Sequence, residues 1–189
     1  MLIAQQKRKE NIAEYLLYMW QIEDIIRGCN RDIEVIEKNV IGNYGADEAT
    51  RHEIREWYES LIMMMKAEHR EESGHLQINK NVLIRLNDLH YELLKSTKYP
   101  GYGAEYYKTL PYIVELRAKS GTEKADELET CFNALYGTLM LRLSHKPITK
   151  GTEEAMKQIS HFIATLAAYY KKNEESPLFG GSDDKEVNM

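Results

Sequence analysis

"EYLLYMWQIEDIIRGC", residues 14–29, is the stretch whose reading decides the fold. Its first half is apolar enough to pass for a membrane span. Gln21, Glu23 and Asp24 then follow within one further turn. A spanning helix needs about 20 predominantly apolar residues, and charge at bilayer depth is costly, so no membrane span is expected. A signal peptide fits little better. Lys7, Arg8 and Lys9 could form its basic region, and "IIRGC" resembles a lipoprotein cleavage box ending at Cys29. However, Glu23 and Asp24 interrupt the apolar region and Arg27 stands two positions before the cysteine. An amphipathic helix accounts for every residue. At about 100° per residue, Ile12, Tyr15, Tyr18, Met19, Ile22, Ile25 and Ile26 share one face. Glu14, Gln21 and Asp24 lie largely opposite, and Glu23 precedes Arg27 by four residues, the favourable order for an ion pair across one turn. Leu16, Leu17 and Trp20 form a second apolar shoulder that needs cover from another helix, a second subunit or a partner.

The same period runs outward through the chain. A first helix is expected over residues 3–27, bent or ended by Gly28, with Ile33, Ile36 and Val40 continuing beyond it. "GNYGAD" breaks the pattern, and Asp47 is placed to cap the next helix, whose inner face is Ile54, Trp57, Tyr58, Leu61, Met64 and Met65. Residues 79–97 carry Val82, Leu86, Leu89 and Leu93 as a stripe, with Ile84 and Tyr91, seven apart, as a thinner stripe behind. "KYPGYGAEYYKTLPY" brings together Tyr99, Tyr102, Tyr106, Tyr107 and Tyr112. Pro100 and its neighbouring glycines read as a connection, and Pro111 as a kink or the first position of a new helix. Thr122 is the expected cap of a helix carrying Leu128, Phe132, Leu135, Leu139 and Leu143. Thr152 is the expected cap of a last helix with Met156, Ile159, Ile163, Leu166 and Tyr170. These signals predict an all-α, single-domain bundle of about six helices over residues 1–175, followed by a polar, disordered tail at 176–189.

Composition narrows the function. A formal net charge of −5 with both signs interspersed gives no footprint for nucleic acid. Cys29 and Cys131 are the two cysteines, read as reduced, packed thiols. A four-helix di-iron site needs two Glu-x-x-His motifs plus two further glutamates, and only Glu72–His75 has that spacing. In "HEIRE", Glu56 stands where a zinc protease has its second histidine, so His52 lacks its partner ligand. Neither a nucleophile elbow, a phosphate loop nor a dinucleotide turn occurs. No catalytic residue, metal or cofactor is therefore expected. His69 and His90 are expected to approach if their helices form an antiparallel hairpin. Arg142 is expected either to serve its helix C-terminus or to join Glu23 or Asp24 in a buried polar cluster.

The opening "MLIAQQKRKENIAEYLLYMWQIEDIIR", most densely "KRKENIAEYLLYMWQIED", resembles an uncharacterised all-helical family of Bacteroidetes, a domain of unknown function. The likeness extends over most of the chain before the tail. It implies a bacterial cytoplasmic protein and supplies no catalytic residues.

Two functional readings follow. The first is a non-enzymatic intracellular helical protein acting through protein–protein contacts, with a partner or as a homodimer. Its candidate interface is Leu16, Leu17, Trp20, Tyr99, Tyr102 and Tyr107, since tyrosine brings apolar area and a hydroxyl together. The alternative is a small-molecule-binding or enzymatic bundle. Its pocket would draw on Glu23, Asp24, Arg27, His90, Tyr106 and Arg142.

Overall fold

The computed structural model describes residues 2–120 and 125–179. Among them every regular element is helical: α1 (Leu2–Glu10), α2 (Ile12–Gly28), α3 (Ile33–Asn39), a 3₁₀ turn (Ile41–Tyr44), α4 (Glu48–Ala67), α5 (Gln77–Lys95), α6 (Pro100–Ser120), α7 (Glu127–Leu143) and α8 (Lys150–Glu175). None is long and apolar enough to cross a membrane.

Eight α-helices thus replace the expected six or so. The first expected helix is two, because the Asn11 side-chain oxygen takes the Ala13 N–H at 3.0 Å and starts α2 afresh. Gly28 is still helical. The stop comes at Asn30, in left-handed conformation at φ 53°, with its N–H on the Arg27 carbonyl and the Arg31 N–H on that of Ile26. α4 and α7 end the same way on His69 and His145, both at φ 53°. Three helices therefore close on residues other than glycine, a stop that sequence reading assigns to glycine first.

Asp47 does cap α4, accepting from Thr50 N. The other two caps are corrected. Asp126 caps α7, accepting from Glu129 N, while Thr122 lies outside the described residues. Thr149 caps α8 and receives the N–H of Thr152 itself. Pro100 opens α6 instead of belonging to a connection, its missing N–H costing nothing in a first turn. Pro111 sits within the same helix. Residues 180–189 of the expected tail lie outside the described residues. Just before them the Phe179 ring meets Tyr99 edge-on at 5.7 Å.

The chain divides into two compact units: Met1–Glu10 with Glu14–Val82, and Asn11–Ala13 with Leu83–Met189. In the first, Met19, Ile22 and Ile26 of α2, Ile36 of α3, Ile41, and Ile54, Tyr58, Leu61 and Met65 of α4 are buried. Arg55 of α4 ties α3 down by meeting Glu34 and Glu37, as well as Glu59 of its own helix. In the second unit α6 packs on α7 and α8, and α7 on α8. Leu86, Leu89 and Leu93 of α5, Tyr102, Tyr106 and Ile113 of α6, Leu128, Cys131 and Phe132 of α7, and Ile159, Phe162 and Leu166 of α8 are buried.

Candidate functional site

In the first unit the Glu23 carboxylate is fully buried. α2 turns this carboxylate toward the start of α5. One oxygen receives the Leu76 N–H at 2.9 Å and the Asn79 side-chain amide at 2.7 Å, and the other lies 2.6 Å from His75 Nδ1. With three donors converging on one acceptor group, His75 presents the N–H of Nδ1 to the carboxylate. The ring is fixed a second time by stacking on Trp20, centroids 4.1 Å apart and planes 11° from parallel. The loop that carries His75 is clasped from α2 and the turn after it as well. Arg27 donates to the carbonyls of Arg70 (3.2 Å) and Gly74 (2.5 Å), and Arg31 to the Glu71 carbonyl and the Glu72 carboxylate.

The second unit has a different cluster. His90 is buried, with Nδ1 2.6 Å from the Tyr102 hydroxyl. The rings of Tyr102, Tyr106 and Phe162 surround it at centroid distances of 5.2 to 5.8 Å. With the phenol donating, the ring proton falls on Nε2, which faces Glu127 at 3.7 Å, beyond hydrogen-bond length. Burial holds the His90 pKa below its ordinary value, and Glu127 opposes that shift without cancelling it. Burial also pushes the phenols of Tyr102 and Tyr106 up, Tyr106 further through Glu127. It raises the Cys131 thiol to about 12, so this cysteine stays protonated and packed.

The expected pocket residues therefore divide. Glu23, Asp24 and Arg27 lie in the first unit, but Glu23 does not pair with Arg27 as the four-residue spacing implied. Arg27 takes Asp24, three residues back, at 2.9 Å, and Glu23 takes His75. His90 and Tyr106 do meet, in the second unit. Arg142 belongs to no buried cluster: it is exposed, on an open groove of about 430 Å³ with Leu135, Leu139, Glu153 and Lys157. His69 is an exposed helix stop of the first unit, whereas the buried His90 belongs to the second. His52 and Glu56 form an exposed pair 3.4 Å apart. Among the described residues no three His, Cys, Asp or Glu side chains form a group that could hold a metal ion. Of the candidate interface residues, Leu16, Trp20 and Tyr102 are buried and leave no surface for a partner, Leu17 and Tyr99 are half-buried, and Tyr107 is exposed.

The sequence model of a family described as a domain of unknown function, DUF4924, matches residues 1–176. The chain belongs to the DUF4924 family. No curated protein and no solved structure matches it. In this DUF4924 chain the residues that sequence reading missed are His75 and Asn79, the partners of Glu23. Their one available signal was the apolar environment of Glu23 itself. A carboxylate at position 23, one residue from Ile22 on the core face, needs donors, and Arg27 is only the nearest in sequence.

Proposed function

We propose that the protein is a non-enzymatic interaction module that self-associates through the second unit. One observation carries this reading. Tyr107 and Val114 of α6 are 68% and 57% exposed, seven residues apart, and Ile84 and Tyr91 of α5 are 52% and 48% exposed with the same spacing. A seven-residue repeat keeps both residues of each pair on one side of a helix. Each pair is also matched to a copy of itself: a two-fold axis perpendicular to the helix, midway along the pair, lays Tyr107 on Val114 of the second copy and Tyr91 on Ile84. Isologous contacts of this kind are the usual basis of homodimers. The grooves at the surface favour contact over ligand enclosure, since they are open and, around Glu37, Arg51, His52 and Arg55, charged. The resemblance of residues 5–27 to a family of Bacteroidetes supports a bacterial cytoplasmic setting.

Light scattering coupled to gel filtration tests the reading. The wild type should elute as a dimer. Tyr107→Glu combined with Val114→Glu should elute as a monomer with an unchanged circular dichroism spectrum, because a charge at the centre of an apolar contact is left unpaired. A wild type that stays monomeric at high micromolar concentration would overturn it.

A further inference from the structure

We propose that a cleft among α1, α2 and α4 binds a small aromatic carboxylate, its ring against Trp57 and Met64 and its carboxylate on Arg8. The cleft belongs wholly to the first unit. It is independent of the self-association reading, which concerns the second. Its volume is about 190 Å³. An apolar cavity of about 150 Å³ is enough to take benzene, whereas drug-sized ligands occupy roughly 300–1,000 Å³. The space therefore suits one ring with a short arm.

The lining changes from the floor outward. Tyr15 and Met19 of α2 and Leu61 of α4 are buried and form the floor. Trp57 and Met64 share the α4 face of Leu61, four residues before it and three after, and are half-buried as the walls. An indole and a thioether sulfur both make favourable contacts with an aromatic ring. Ser60 and Arg8 are exposed at the rim.

Arg8 sets the charge of the ligand. It is the one charged residue in the lining. Its neighbour Lys7 pairs with Glu14 at 3.2 Å, but Arg8 has no carboxylate or other hydrogen-bond acceptor among the described residues. Its guanidinium instead lies over the Tyr15 ring, 5.7 Å from the centroid. That contact places a permanent cation at the cleft and leaves it without an anion. A carboxylate is ionised at neutral pH and matches the planar fork of arginine. The charged groove around Glu37, Arg51 and Arg55 offers no such combination, because Arg55 already meets Glu34, Glu37 and Glu59.

The test is nuclear magnetic resonance of the full chain labelled with ¹³C at its eight methionine methyls, titrated with three probes: phenylacetate, 2-phenylethanol and 2-phenylethylamine. They share a ring and a short arm and differ in charge. Phenylacetate should shift the Met19 and Met64 methyls saturably, through the ring current, and leave the other methionines in place. It should bind roughly tenfold more tightly than the alcohol, the scale by which a charge-assisted hydrogen bond exceeds a neutral one, and the amine should bind weakest. Arg8→Gln should bring phenylacetate down to the alcohol's affinity without changing that of the alcohol. Ser60→Phe should fill the cleft and abolish binding of both. Both substitutions are at exposed positions, so circular dichroism should match wild type. Shifts that do not saturate, or that are as large at other methionines, would overturn the site. An alcohol or amine bound as tightly as phenylacetate, or a carboxylate preference that survives Arg8→Gln, would overturn the ligand class. If either variant does not fold, the three probes on the wild type still decide.

Discussion

Replacing Glu23 with alanine probes the element on which the first unit's loop depends. The carboxylate accepts from Leu76 N–H, from the Asn79 amide and from His75 Nδ1. Leu76 and Asn79 are buried, so their donors cannot turn to water when the acceptor goes, and each stranded donor costs about 1–3 kcal/mol. His75 is partly exposed and can find water, so its loss adds less. Two fully stranded donors set the scale: Glu23→Ala should destabilise by about 3–5 kcal/mol, the range for breaking a buried, hydrogen-bonded charged group. Glu23→Gln retains a carbonyl oxygen for Leu76 and Asn79 and turns an N–H toward His75, so its cost should be about 1 kcal/mol, the difference between charged and neutral hydrogen bonds. Urea denaturation followed by circular dichroism measures both. An alanine variant within about 1 kcal/mol of wild type, the scale of an ordinary substitution, or a glutamine variant as costly as alanine, would refute the reasoning.

His69→Gly and His145→Gly should each stabilise by about 0.5–1 kcal/mol in thermal unfolding, because the left-handed conformation that both histidines occupy carries no side-chain penalty for glycine. Pro111→Ala should raise stability by about 1–3 kcal/mol, since an exposed position inside α6 regains a backbone donor and loses a ring clash with the preceding turn. His90 predicts a pH dependence. Its folded pKa lies below the ordinary 6.5, so the unfolded chain binds the proton first. Stability should be unaffected well above 6.5 and should fall as pH drops from there toward the folded pKa. The groups facing His90 are Glu127 of α7, its cap Asp126, and the phenols of Tyr102 and Tyr106 from α6. His90→Gln should flatten the slope of unfolding free energy between neutral and mildly acidic pH, and an unchanged slope would place the titration elsewhere.

Local spacing determined a good deal. The period of residues 14–29 identified an amphipathic helix with Ile22 and Ile26 inward, and both are buried. Asp47, three residues before Thr50, could be recognised as a cap because its bond closes within one turn. Met63, between Glu56 and Glu59 on the outer face, was readable as exposed for the same reason. These features depend on residues within about one to two turns of each other, where sequence distance fixes spatial distance. The helix stops at Asn30, His69 and His145 were less legible. A left-handed residue other than glycine is held by two closing backbone bonds and by what packs around the turn, neither of which its side chain announces. The partner of Glu23 was not legible at all. Spacing offered Arg27, four residues away, whereas the structure supplies His75, Leu76 and Asn79, more than fifty residues along the chain. A buried carboxylate takes the donors that folding brings to it, and which helix start arrives beside α2 is decided by packing between distant segments. The sequence alone could require that Glu23 be satisfied; only the tertiary structure could choose an imidazole to do it, and so orient His75.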